Sequence, residues 1–435
     1  MKHAGRLRRT VLLLGLLCLL GVAVAASAGW WGRAADLRLP AASTLPAPDA
    51  AAAARGAYLA QVGHCAGCHT APGGPPYGGG RGLNTPFGAV FAANLTPDAE
   101  HGLGRWGPDA FRRALKDGRS ADGRALLPAC PYSNFSLVDD ADADDLFAFL
   151  RSLAPQPQPV PAHRLDWPYG LPVALAAWRL RHHRAATLPP VPAGAGAGWA
   201  RGAYLVGGLA HCSACHGQRD GWGATDGAWD FRGGEIPMQG WLAPSLLDPA
   251  EAGLAGWREE EVVALLTAGR NRHATVSGPM AVVVAHSTQH LNEADARAMA
   301  EFLRHLPAPG KASPRRPVAT PAADVLQSGE QLYAGHCAEC HGKQGEGAAD
   351  SGPALQGNRA LALASPVNVI RMVLGGGFGP STAAEPMPPG MPPYATLLSD
   401  EQIAAVVTHL RWQYGARASA VTAFEVNRQR GGALR

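Results

Sequence analysis

Three stretches of this sequence set two thiols and an imidazole at one fixed spacing. They are Cys65-Ala-Gly-Cys68-His69, Cys212-Ser-Ala-Cys215-His216 and Cys337-Ala-Glu-Cys340-His341. Cys-x-x-Cys-His reads as an attachment site for covalent haem. On a helical turn both sulfurs reach one face of a porphyrin and form thioethers with its two vinyl groups. The adjacent histidine then sits under the iron as proximal ligand. A redox dithiol needs no following histidine and does not usually come three times. A four-cysteine zinc site draws on pairs close in sequence, whereas these pairs lie 147 and 125 residues apart. The pattern predicts three covalent haem c groups, which consume six thiols and exclude a disulfide framework.

A six-coordinate haem needs a second axial ligand, and methionine serves where a high potential is wanted. Met280, in Gly278-Pro279-Met280, lies 64 residues after His216, and Met391 lies 50 residues after His341. Met387 competes with Met391, whose distance to the following helix fits the other repeats better. Met238, Met299 and Met372 are expected in the core. The first repeat has no methionine. Cys130 lies 24 residues after Trp106, as Met280 lies 23 after Trp257, so Cys130 fills the distal slot. A thiolate donates more charge to iron than a thioether, stabilises the ferric state and lowers the potential. The competing reading is a buried thiol, with an open haem or with His101 or His163 as sixth ligand. His64, His211 and His336 each precede a motif directly, which places them badly for the distal face; they read as structural contacts.

The elements that must hold these residues also repeat. Arg55-Gly56-Ala57-Tyr58-Leu59 and Arg201-Gly202-Ala203-Tyr204-Leu205 precede the first two motifs, and Gly329-Glu330-Gln331-Leu332-Tyr333 the third. Each reads as a helix leading into the haem motif. Each repeat closes on an amphipathic helix, marked by Leu146, Phe149, Leu150 and Leu153, by Met299, Phe302, Leu303 and Leu306, and by Ile403, Val406, Val407 and Leu410. No run of alternating strands is present. The expected fold is all-α, three class I cytochrome c domains in series with Pro/Gly-rich linkers. The boundaries are 48–154, 199–307 and 322–418, with linkers 155–198 and 308–321 and a C-terminal tail 419–435.

The 435 residues, 47% hydrophobic and 17% charged, exclude wholesale disorder. A net charge of +4 is too balanced for a nucleic-acid binder. Lys2, Arg6, Arg8 and Arg9 precede an apolar run from Val11 to Ala28, with Trp30 and Trp31 beyond it. Residues 1–28 read as a cleaved signal or a retained anchor, and either exports the rest. Pro155, Pro157, Pro159 and Pro161 stiffen the first linker. The basic stretch from Leu171 to Arg184 reads as a solvated linker helix or as a contact for a partner or an anionic membrane surface. The glycine-rich stretches lack the context of a phosphate loop or dinucleotide fingerprint.

From about Ala52 to Trp412 the chain resembles the triheme cytochrome c subunit of membrane-bound bacterial alcohol, gluconate and related sugar dehydrogenases. The resemblance rests on the Arg-Gly-Ala-Tyr-Leu repeats and on Asn94-Leu95-Thr96-Pro97-Asp98. It rests also on Gly278-Pro279-Met280 followed by His286-Ser287-Thr288-Gln289-His290-Leu291. It implies a subunit on the periplasmic face of the inner membrane. There it would carry electrons from a quinoprotein or flavoprotein that oxidises alcohols, sugar acids or aldehydes to ubiquinone or a terminal oxidase. Similar subunits serve exported molybdenum hydroxylases. The family's first haem normally has methionine where Cys130 stands, a departure that bears on that haem's potential. A histidine/cysteine-ligated first haem would also suit a thiosulfate dehydrogenase-like cytochrome with its own active site. A respiratory oxidase subunit or free electron shuttle is a third reading. No substrate chemistry of its own is expected in the main one.

Overall fold

The computed structural model describes residues 15, 18, 21, 46–307, 318–348 and 351–433. Most of the expected signal or anchor, with residues 308–317 of the second linker, lies outside the described residues. Among the described residues no helix is long and apolar enough to cross a membrane. The described residues are 43% helix and 7% strand. The helical expectation holds, with one correction: among the described residues seven short strands form three small antiparallel sheets. Their residues lack a period-2 pattern long enough to read from sequence.

The chain forms two compact units, Met1–Gly56 with Cys68–Ala185, and Ala57–Gly67 with Ala186–Arg435. Helix α1 (Ala50–Val62) spans both and leads into α2 (Cys65–His69). The first unit continues with β1 (Gly82–Thr85), β2 (Gly88–Phe91), α3 (Pro108–Asp117), α4 (Tyr132–Phe135), α5 (Asp140–Ser152), β3 (Arg164–Leu165) and α6 (Pro172–His182). Helix α3 has Pro108 at its start, Asp109 in its first turn and Lys116 in its last, and Gly118 caps it in the left-handed region at φ 60°. The basic linker helix α6 buries none of its residues fully. It is nonetheless fixed: Arg179 donates to the carbonyls of Asp117 and Gly118 and stacks over Tyr132 at 5.1 Å.

The second unit opens with α7 (Trp199–Ala203), which widens into a π-helical turn over Tyr204–Leu209. There follow α8 (Ser213–His216), β4 (Gly234–Ile236), β5 (Trp241–Ala243), α9 (Glu259–Ala268), α10 (Pro279–His286) and α11 (Glu293–Arg304). After the second linker come α12 (Ala323–His336), α13 (Ala338–His341), α14 (Arg359–Ala362), α15 (Val367–Gly375), β6 (Gly377–Phe378), β7 (Gly390–Met391), α16 (Asp400–Gln413) and α17 (Ala423–Ala433). The second and third repeats thus share one compact unit. The stretch expected as a tail includes the docked helix α17, with Val426 fully buried and Arg430 paired to Asp400.

One packing device recurs in all three repeats. The helix before each motif crosses the closing helix at a glycine. A Cβ at Gly56, Gly202 or Gly329 would collide with the backbone carbonyl of Asp145, Ala298 or Ala405 respectively. The arginine beside the first two glycines locks the crossing. Arg55 binds both oxygens of Asp145 at 2.6 and 2.7 Å, and Arg201 binds Asp295 at 2.9 and 3.0 Å. Tyr58 also donates to Asp295, at 2.7 Å. Burial pushes the Asp295 carboxyl up. The hydrogen bonds from Arg201 and Tyr58 and the guanidinium charge outweigh it and hold it below the ordinary range.

Candidate functional site

The three histidines of the repeated motif are held in the same way. His69 Nδ1 lies 2.7 Å from the carbonyl oxygen of Ala93, His216 Nδ1 2.8 Å from that of Pro244, and His341 Nδ1 2.9 Å from that of Pro353. A carbonyl only accepts, so each ring carries a proton on Nδ1 and offers the Nε2 lone pair to a metal. Such an outer partner fixes tautomer and orientation and makes the ring a stronger donor. Burial pushes the pKa of His69 and His216 below the usual value, against the raising effect of these bonds, which keeps both rings neutral.

A glycine completes each site. Gly79, Gly233 and Gly347 donate their backbone N–H to the carbonyls of His69, His216 and His341 at 2.8, 2.6 and 2.8 Å. All three are left-handed, at φ 76°, 79° and 78°. Each packs on the segment that supplies the histidine's acceptor: a Cβ would meet backbone of Ala93, of Pro244 and Ser245, or of Ala354. Sequence reasoning missed these glycines and all three acceptors. The acceptors follow their histidines by 24, 28 and 12 residues, so no constant spacing marks them.

The cysteines of each motif lie on or beside the short helices α2, α8 and α13, the first one turn before the histidine and the second next to it. Burial pushes the thiols of Cys212 and Cys337 up to about 12 and 11, with the neighbouring Cys215 and Cys340 adding to the effect. The residues fit covalent haem: two sulfurs and an oriented imidazole lie within five consecutive positions, three times. Among the described residues no group of three or more His, Cys, Asp or Glu could hold a bare metal ion.

Of the distal residues, Met280 stands in the first turn of α10 and is half-buried. Met391 lies in β7 and packs on the buried cluster of Ile370, Leu374, Ile403 and Val407. Met387, its competitor, is 91% exposed. Met299 is fully buried, as expected. Met238 is not: it is 64% exposed, in the turn between β4 and β5, and the expectation of core packing is wrong there. Cys130 is half-buried in the turn before α4, its N–H donating to Leu127 and its carbonyl accepting from Tyr132. Of the alternatives, His163 Nδ1 accepts from the N–H of Phe91 at 3.1 Å, and His101 is half-buried beside Glu100.

His64 and His211 share an unusual backbone, left-handed at φ 50° and 40°. His211 Nε2 approaches the carbonyl of Gly63 at 3.3 Å. His336 differs: it ends α12, its carbonyl accepts from Tyr394 Oη at 2.6 Å, and the two rings meet edge-on at 5.9 Å.

Comparison with known proteins identifies what this sequence is similar to. The profile described as Cytochrome c matches three times, over residues 53–154, 199–307 and 326–413. The chain is 35% identical to the alcohol dehydrogenase (quinone) cytochrome c subunit of Gluconacetobacter polyoxogenes, over 88% of this chain and 85% of the relative. It is 35% identical to the gluconate 2-dehydrogenase cytochrome c subunit of Pantoea cypripedii, over 86% and 88%. It is 30% identical to the fructose dehydrogenase cytochrome subunit of Gluconobacter japonicus, over 92% and 87%.

Proposed function

We propose a triheme electron relay, from the premise that this chain belongs to the cytochrome c family. Membership brings covalent haem c and electron transfer. The reading adds a count of three haems and their ligands. Cys65, Cys68 and His69 hold the first, with Cys130 on its distal side. Cys212, Cys215 and His216 hold the second with Met280, and Cys337, Cys340 and His341 the third with Met391. Bound haem supplies a one-electron ferric/ferrous couple at a potential set by axial ligand and burial. The chain's own residues orient each imidazole, exclude water and fix the distal side chain.

The observation that carries the reading is the threefold site of histidine, carbonyl and left-handed glycine on a chain alike to dehydrogenase subunits along most of its length. The relay takes electrons from a membrane-associated quinoprotein or flavoprotein dehydrogenase on the periplasmic side. It passes them to ubiquinone or the respiratory chain, and residues 1–28 export or anchor it. The comparisons favour neither the molybdenum hydroxylase nor the sulfur-oxidising alternative. Purification of the chain from native membranes is expected to bring a catalytic dehydrogenase with it, and that enzyme's substrate is expected to reduce the haems. A chain that arrives alone, with haems reduced directly by thiosulfate, would overturn the reading.

Cys130 makes a separate expected outcome. A thiolate stabilises ferric iron, so Cys130→Met should raise the first haem's potential. Cys130→Ala should change the ferric EPR signal of that haem alone. An unchanged first-haem signal would remove Cys130 from the ligand set.

A further inference from the structure

We infer that Asn368, on the third repeat, is a positioning residue for the proximal ligand of the second haem. The inference rests on the reading of His216 as that ligand. Asn368 presents its carboxamide to the edge of β5. Its Oδ1 accepts from the N–H of Leu242 at 2.9 Å, and its Nδ2 donates to the carbonyl of Leu242 at 2.8 Å. The side chain thereby mimics one residue of a neighbouring strand, satisfying both backbone groups that an edge strand leaves open. Two residues further on, the carbonyl of Pro244 accepts the Nδ1 proton of His216 at 2.8 Å.

One turn along α15, the Arg371 guanidinium stacks over Trp241 of the same strand at 5.4 Å. Trp241 in turn lies against Gly278, two residues before Met280, where a Cβ would stand 2.7 Å from the indole. One face of α15 thus grips the strand that runs to the proximal side of the second site and reaches its distal loop.

The first repeat supports the assignment by doing the same with different residues. There the acceptor is Ala93, and two residues before it Phe91 donates its N–H to His163 at 3.1 Å. β3 from the linker pairs alongside β2. In both sites, the strand leading to the acceptor is closed by something outside the repeat. The third site closes within its own loop, through the bond of Ala348 N–H to Gly352 at 3.0 Å. The second haem's proximal bond is therefore set by contact with the third repeat.

The sign follows from the hydrogen bond. A firm Nδ1–H···O=C bond increases the donor strength of the imidazole and stabilises ferric iron. Loosening the carbonyl weakens that bond and favours the ferrous state. Asn368→Leu has nearly the same shape but cannot bond Leu242. In the full chain with its haems, it should raise the midpoint of the second haem alone. A shift of up to about tenfold in its one-electron reduction equilibrium corresponds to ~59 mV. The ferric EPR signal of that haem should shift with it, while the first and third haems stay in place. Asn368→Gln, which retains both groups, should lie nearer the parent. An Asn368→Leu chain with full haem content and all three midpoints unmoved would overturn the inference, as would equal shifts at every haem. The underlying ligand reading is checked apart from this, by haem content in Cys212→Ser/Cys215→Ser. If that chain keeps every haem, the reading of the site fails, not the clamp alone.

Discussion

Serine at both Cys212 and Cys215 is expected to leave a chain with one covalent haem fewer than the parent. The haem-to-protein ratio of the denatured chain reads this directly. A thioether needs sulfur, and a serine hydroxyl cannot add to the haem vinyl groups. His216 remains on its carbonyl at 2.8 Å, yet a single axial imidazole holds haem far less firmly than two covalent bonds. Dehydrogenase-driven reduction of the terminal acceptor should fall in the same variant, because the chain would lack one of its proposed relay centres. The equivalent change at Cys337 and Cys340 should also remove one haem, with different midpoints among those that remain. A double-serine chain that kept three covalent haems would refute the assignment of this motif.

Alanine at Gly202 should destabilise the second repeat, although propensity alone argues the reverse. In a helix alanine is favoured over glycine by about 1 kcal/mol. Here the new methyl would be driven into the carbonyl of Ala298 and would stand 2.8 Å from Phe302 Cβ. The obstruction is backbone of a packed helix, so it cannot rotate away. Forced overpacking costs about 1–3 kcal/mol and sometimes more, so steric cost outweighs propensity. Separating α7 from α11 would also pull Arg201 off Asp295, a pair the closing helix holds half in and half out of water. Calorimetric melting should show the transition of the second unit moved down by several degrees. The same sign is expected at Gly329, which faces the carbonyl of Ala405. An unchanged or raised melting temperature for both would show that these crossings can relax.

Much of the candidate site was legible because its chemistry is local. Two sulfurs and an imidazole within five residues announce a covalent porphyrin whatever surrounds them. The repeated glycine before each motif was also visible, but its reason was not: the carbonyls of Asp145, Ala298 and Ala405 come from helices about 76 to 96 positions away. The choice between Met387 and Met391 rested on spacing; in the fold Met387 is 91% exposed and Met391 packs on the buried cluster. The expectation for Met238 failed because a thioether in an apolar sequence context reads as core, while the turn between β4 and β5 carries it outward.

By itself the sequence determined the reactive groups, their threefold repetition and the helices that flank them, since each depends on neighbours a turn or two away. Tertiary structure alone decided which carbonyl orients each imidazole, and that the second and third repeats form one compact unit. It alone brought Asn368 to Leu242, across 126 positions. The physical reason is that a backbone carbonyl carries no side-chain identity. Any residue can supply one, so composition and spacing leave no mark of the partner, and only the packing of distant segments selects it.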